Sequence, residues 1–449
     1  MISGRAIGAS VIFAFCLFAS LATGRQIFTG LTYLWGGLLV GSWIWSQLSL
    51  LGVSFTRTPR SAGGQVGEIF EERFSLVNRS RIPKLWIEIE DQSDLPGLWM
   101  SPGRMSVEGH TTRPAAVRGG HRASQIVVGL GPRRELHWRV RTRCLRRGRF
   151  RIGPVRLNGG DPFGLFRTSH ALHGWRHVVV LPMTEPLDSV QAPAGFLPGG
   201  GAMRLRTHQV TPNAAGVRDY AAGDGLNRIH WRSTARRGRL IAKEFELDPK
   251  VDVWIILDAC HQVQAQLPFD WQSQGPDRLR SRQAMMLPPA TEEYGVALAA
   301  SLARHFLERE RAVGLMAYGR SRHISQAQSG EPQLYEILES LAVLEAQGST
   351  LLEDVIRIES TRIPRGSSAI LITPSTSSDL LAGVEELRQR GIQPLLALLD
   401  AQSFGGRSGT PGLAAAAERR GLAVRVIHYG DSLATALKVG SERPAAAMA

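Results

Sequence analysis

Two long uncharged stretches at the start of the chain limit its fold more than any other feature. From Ala6 to Gly24 there is no charged side chain, and Val11 to Phe18 is densely apolar. After Arg25 a second uncharged stretch runs from Gln26 to Thr56, centred on Leu31 to Leu51. A bilayer is crossed by ~20 apolar residues in helical form, so spans over about 6–24 and 28–51 are expected. Tyr33, Trp35, Trp43 and Trp45 are amphipathic rings of the kind found near headgroups. A cleaved signal peptide is the other reading of the first stretch, because Arg5 precedes it and Leu21 to Gly24 forms a small-residue end. A second apolar span beginning almost at once favours a tight transmembrane hairpin.

Flanking positive charge sets the orientation of such a hairpin. Its loop holds Arg25, whereas the other side holds the amino terminus, Arg5, Arg57 and Arg60. Both chain ends and all soluble domains are therefore expected on the cytoplasmic side of a plasma (inner) membrane. Cysteine usage agrees: Cys16, Cys144 and Cys260 are odd in number and widely separated, with no C-x-x-C or His/Cys cluster.

Residues 57–185 read as β structure. Phe70–Val77 and Leu85–Glu90 alternate at period two around the turn Asn78–Pro83, and Ile126–Leu130, Leu136–Val140 and Phe150–Leu157 follow the same pattern. Pro154 marks an edge or bulge, and Asp161-Pro-Phe-Gly164 ends the run as a turn. A small sandwich-like all-β domain is expected. Nine arginines fall in the nineteen residues from Arg133 to Arg151, in a chain whose net charge of +14 comes from an excess of arginine. In strands, alternate arginines line one solvated face. An anionic-lipid surface is the next reading, ahead of nucleic acid, for which no partner role is expected.

Residues 186–216 are rich in Gly, Pro and Ala and read as a linker. From 251 to 440 strands alternate with helices, beginning with Val251–Asp258, then helix Tyr294–Arg311 and strand Ala312–Tyr318. The alternation continues with helices Gln333–Ala346 and Leu351–Thr361, strand Ala369–Thr373, helix Asp379–Arg390, strand Pro394–Leu399, helix Leu413–Arg420, strand Ala423–His428 and helix Leu433–Lys438. This is the pattern of an α/β domain with a mainly parallel sheet. Residues 261–290 interrupt it as a Gln- and Pro-rich surface insertion, and 441–449 form a tail. No nucleotide-binding glycine motif and no G-x-S-x-G elbow occurs, so no cofactor is expected.

The densest chemistry lies in 217–250, where Arg218, Asp219, Tyr220, Gly223, Asp224, Arg228, His230, Trp231, Arg236, Lys243 and Glu244 crowd together. Asn227 is expected to cap a short helix starting at Arg228, and Gly238 to end it. Trp231 is expected to face the sheet, and Leu240–Leu247 to form a strand beside 251–258. One reading makes the cluster an Arg–Asp clamp or interaction motif. The other is a catalytic site around His230 with Asp219 or Asp224, although no serine or cysteine recommends itself as nucleophile.

The chain here resembles the domain of unknown function 58 (DUF58) family, whose members carry a von Willebrand factor A-like domain. The resemblance rests on Arg218-x-Tyr220-x-x-Gly223-Asp224, Arg228-Ile-His-Trp231, Ser233-Thr-Ala-Arg236 and Lys243-Glu-Phe-Glu246. Arg147-Gly148, Gly153-Pro154 and Asp161–Phe166 support it upstream. It implies a Rossmann-type A-like domain in a membrane-anchored protein without established enzymatic activity. It also implies work alongside a MoxR-type AAA+ ATPase and at times a transglutaminase-like membrane protein. An A-domain normally holds a hard cation in D-x-S-x-S after its first strand. The matching Asp258-Ala-Cys260-His-Gln262 keeps only the first ligand, so a degenerate site without metal is expected. A membrane-anchored scaffold or adaptor is the leading expectation. A hydrolase or transferase using His230 with Asp224, and a polyanion binder through residues 133–151, are the alternatives.

Overall fold

A computed structural model describes residues 4–61, 63–100, 105–107, 110–112, 115–116, 123–172, 174–187, 190, 205–207, 214–220, 229–247, 251–269 and 286–437. The chain divides into two compact units, one ending at Leu181 and the other beginning at Pro182.

The first unit opens with helices α1 (Gly4–Thr23) and α2 (Gln26–Ser49), both long and apolar enough to cross a membrane. They form an antiparallel pair: Ser20 and Thr29 hydroxyls meet at 2.8 Å, and a Cβ on Gly36 would lie 3.0 Å from the Phe13 ring. Ile7, Val11, Phe15, Phe18, Leu21, Ile27 and Leu34 point outward.

The main strands that follow are β1 (Val53–Pro59), β2 (Ile69–Asn78), β3 (Lys84–Asp91), β4 (Ala123–Leu130), β5 (Glu135–Cys144), β6 (Gly148–Ile152), β7 (Val155–Gly160), β8 (Arg167–Leu172) and β9 (Arg176–Leu181). One antiparallel sheet contains β1–β2–β5, another β8–β7–β3–β4, and β6 pairs with β9. Alternation at period two sends Phe74, Leu76, Leu136, Trp138 and Val140 from the first sheet against Ile87, Ile89, Val127, Val155 and Leu157 from the second. Two faces packed this way make a sandwich core. The expected single strand Phe150–Leu157 is two strands in different sheets. They part at the cis Gly153–Pro154 peptide, where the proline has no N–H to continue a ladder.

Arg57 is not a flanking surface charge. Its guanidinium donates to Glu72 at 2.6 and 2.7 Å and to Asp91 at 3.0 Å, with both carboxylates buried. Among the nine arginines of 133–151, Arg139 and Arg141 face Glu71, Arg151 pairs with Asp94, and buried Arg143 donates to the Gly67 carbonyl. Much of that run serves its own sheet.

The second unit begins its described sheet structure with β10 (Leu205–Thr207), β11 (Ala214–Asp219) and β12 (Ile241–Leu247), in the antiparallel order β10–β12–β11. Part of the expected linker is therefore strand. The strand at 241–247 pairs with these neighbours rather than with 251–258, correcting the sequence reading. Helix α3 (Trp231–Arg237) lies between β11 and β12.

The larger sheet contains β13 (Val253–Leu257), β14 (Val313–Tyr318), β15 (Arg322–Gln328), β16 (Ser368–Thr373), β17 (Gln393–Leu399) and β18 (Ala423–Ile427). Its order is β15–β14–β13–β16–β17–β18, and every pair is parallel except β14 with β15. Helices α4 (Thr291–Leu307), α5 (Glu331–Val343), α6 (Leu352–Glu359), α7 (Leu380–Gln389), α8 (Thr410–Arg419) and α9 (Leu433–Ala436) alternate with the strands. The central strands β13 and β16 are buried along their whole length, as parallel strands covered on both faces require. Gly314 lets Trp254 lie flat in the core, since a Cβ there would come within 2.6 Å of the indole. The described ends of the 261–290 insertion meet in a bridge between Gln266 and Ala290.

Candidate functional site

Ranked by position in the chain, the six strands of the large sheet stand in the order 3-2-1-4-5-6. In such sheets the chain reverses its winding between the first and fourth strands, and the carboxyl ends there flank the crevice that serves as a site. Asp258 directly follows β13, and Thr373 ends β16. They meet at that junction.

The buried Asp258 carboxylate is held by protein donors. The Thr373 hydroxyl donates to Oδ2 at 2.6 Å, and the Cys260 amide donates to Oδ1 at 3.1 Å. Thr373 Oγ1 in turn accepts the Ser375 amide at 2.9 Å. Burial pushes the Asp258 pKa up to about 6. The two hydrogen bonds pull it down, and the negative Glu353, from the first turn of α6, adds to the rise. Burial also pushes the Cys260 thiol up, so it is kept protonated. Gly348 closes the floor: its amide donates to the Ala259 carbonyl and its carbonyl accepts the His261 amide. A Cβ at Gly348 would stand 2.0 Å from the Tyr318 carbonyl oxygen.

A hard divalent cation, which the A-domain resemblance implies here, wants six or more oxygens from carboxylates, hydroxyls and water. This donor set does not fit one. The sole carboxylate after β13 has both oxygens engaged, the next candidate is a protonated soft thiol, and Gln264 Nε2 is committed to the Asp258 carbonyl. The sequence alone does not mark Thr373 or Glu353 as partners of Asp258. A threonine closing a fully buried strand next to the central one was the available signal.

A second candidate site is the segment leading into β13. Arg218 and Asp219 sit on β11 opposite Ala242 and Ile241, while Lys243 and Glu244 on β12 stand opposite Val217 and Gly216. Tyr220 continues from β11, its amide bonded to the Leu240 carbonyl. Gly223, Asp224, Asn227 and Arg228 lie outside the described residues. Ile229 is buried and forms an isolated bridge with Ala242, so this stretch is extended where a helix was expected to begin. The helix starts at Trp231 instead, with His230 as its N-cap. The imidazole Nδ1 accepts the Ser233 amide at 3.2 Å and meets the Ser233 hydroxyl at 2.7 Å. That nitrogen satisfies one of the open amides of a helix start. Gly238 ends the helix in left-handed conformation, φ 68°, as expected.

Trp231 does not face the sheet. It is 67% exposed, and Arg232, Arg236 and Arg237 on the same helix are exposed without an ion pair among the described residues. Buried Ile229, Ile241 and Ala242 anchor the segment, so the indole is free to face outward. The outcome is a short, capped helix presenting one large aromatic and three guanidinium groups.

Residues 216–266, which contain both α3 and Asp258, match the family described as protein of unknown function DUF58. The uncharacterized protein YeaD of Bacillus subtilis is 24% identical over 238 residues, 52% of this chain. The chain spans about half the length of that relative, 52%. Among solved structures, domains D2 and D3 of the pilin SpaD from Corynebacterium diphtheriae align at 6% identity, covering 27% of this chain and 50% of that one, with a TM-score of 0.23. The collagen-binding domain of a Staphylococcus aureus adhesin aligns at 10% identity, over 29% of this chain and 97% of its own, with a TM-score of 0.19.

Proposed function

We propose that this protein is a membrane-anchored, non-enzymatic scaffold whose von Willebrand A-like unit docks a cytoplasmic partner without a bridging metal. The partner class is a MoxR-type AAA+ ATPase or an envelope-assembly protein, with a transglutaminase-like membrane protein as a further member of the assembly. The observation that carries this reading is the exposed Trp231 on α3 beside Arg232, Arg236 and Arg237. Tryptophan and arginine are the residues most enriched where binding energy concentrates in protein interfaces. The Rossmann-type strand order, with an aspartate closing its first strand, supports the A-like assignment.

The partner-facing domains are on the cytoplasmic side in this reading. Exposed Arg79, whose amide donates to the carbonyl of Gly52 just beyond α2, and exposed Arg81 join Arg5 and Arg60 in outweighing Arg25. The scaffold reading also accords with His230, whose Nδ1 is occupied as a helix cap. The test is co-purification of the detergent-solubilised full-length protein with the MoxR-type ATPase of the same genome. Recovery should fall at least tenfold for Trp231→Ala and for Arg236→Glu, with melting unchanged. Recovery of no ATPase and no envelope protein, or equal recovery by both variants, would overturn the proposal.

A further inference from the structure

The turn Asp161–Phe166 folds against the apolar helices of its own unit. Leu165 forms one buried cluster with Ala6 and Ala9 of α1, and Trp35, Leu38, Leu39 and Phe166 pack against it. The far end of α2 is fixed to the sandwich below. Ser46 meets the Thr168 hydroxyl at 2.8 Å, and the buried Lys84 ammonium donates to the Leu48 carbonyl at 2.7 Å, near the negative end of the helix. Gly159 leaves room for Ser49 and Leu50.

Helical rise converts these contacts into depth. At 1.5 Å per residue, Gln26 to Ser46 is about 30 Å, the thickness of the hydrocarbon layer. Ser46 therefore lies at the near boundary when the Gly24–Arg25 bend lies at the far one. Leu38 and Leu39 are then about 10 Å inside that boundary, and the turn packed on them reaches the same layer.

The turn is built for that environment. Backbone polar groups placed in lipid must find partners within the protein. Asp161, itself buried, accepts the Phe163 amide at 2.9 Å and the Phe166 amide at 2.6 Å, and its carbonyl accepts the Gly164 amide at 3.3 Å. At the tip the Phe163 side chain is 58% exposed. Basic groups flank the turn: Arg5 lies beside Gly164, and Arg167 follows directly, its guanidinium over the Trp86 ring.

We propose that Asp161–Phe166 is a lipid-contacting turn that inserts Phe163 into the near leaflet beside the hairpin, with Arg5 and Arg167 at the level of anionic headgroups. The proposal rests on α1 and α2 crossing the membrane. Full-length protein carrying Phe163→Cys is labelled with a polarity-sensitive dye and reconstituted into vesicles of neutral and anionic phospholipid. The three native cysteines are buried, and labelling of the unsubstituted protein supplies the blank. Val11→Cys, in mid α1, marks a lipid-facing site, and Trp175→Cys marks an aqueous one. The Phe163 label should be blue-shifted, quenched more by shallow than by deep spin-labelled lipid, and severalfold less accessible to iodide than the Trp175 label. A Phe163 label behaving like Trp175 while Val11 is lipid-quenched would overturn the turn's insertion alone. Aqueous behaviour at Val11 as well would overturn the hairpin on which it rests.

Discussion

The Thr373 hydroxyl donates to Asp258 Oδ2 at 2.6 Å, joining the carboxyl ends of the two central strands of the α/β sheet. The two residues are 115 positions apart in sequence, and each is buried. Their bond turns what could be a ligand-binding carboxylate into part of the fold.

Stability should depend on pH through this carboxyl group. Its pKa is raised by burial from 3.8 to about 6, so the folded state holds the proton more tightly than the unfolded chain. The contribution is complete below the unfolded value and is lost as pH rises through the folded one. The difference amounts to about 3 kcal/mol. Asp258→Asn removes the titration while keeping an oxygen for the Cys260 amide. Melting of full-length protein in detergent between pH 4 and 8 should therefore fall less steeply for this variant. Parallel profiles for the two proteins would contradict the assignment.

Thr373→Val should destabilise at every pH. It strands Asp258 Oδ2 and the Ser375 amide, and each unsatisfied buried group costs about 1–3 kcal/mol. Thr373→Ser restores the hydroxyl and should recover most of the loss. A valine variant as stable as the parent would show that water reaches this junction.

The β sandwich has its own sensitive point in Arg57, which holds Glu72 and Asp91 together. Burial pushes both carboxyl groups up, and the guanidinium pulls them down. Arg57→Ala leaves two buried carboxylates without their shared partner, and a pair broken this way costs about 3–5 kcal/mol. Denaturant unfolding followed by tryptophan fluorescence, to which buried Trp138 packed edge-on against Phe74 contributes, reports the loss. An Arg57→Ala protein within 1 kcal/mol of the parent, roughly the effect of a solvent-exposed pair, would refute the buried network.

The sequence announced the α/β unit because its central strands hold uninterrupted apolar runs, Val253–Leu257 and Ala369–Ile372, separated by helical periodicity. The edge strand Arg322–Gln328 is not legible in the sequence because Ile324 and Ala327 are its only apolar residues and its one buried residue is Ser325. Asn227 looked like a helix cap by residue type, yet the bridge at Ile229 extends the chain past it and hands the role to His230. By residue type Trp231 reads as inward-facing, because large aromatics usually bury, but buried Ile229, Ile241 and Ala242 already anchor this segment. The Asp258–Thr373 bond depends on which strands become neighbours, and local pattern carries no record of that.

The central claim is that the face of α3 meets a partner. Full-length protein carrying a photoreactive benzoylphenylalanine at Trp231 should, on irradiation in intact cells, form one dominant adduct containing the MoxR-type ATPase. The same probe at Tyr335, an exposed aromatic on α5, serves as the reference position. The account predicts an ATPase adduct at Trp231 and at least tenfold less at Tyr335. Equal adducts at both positions, or none at Trp231, would contradict it.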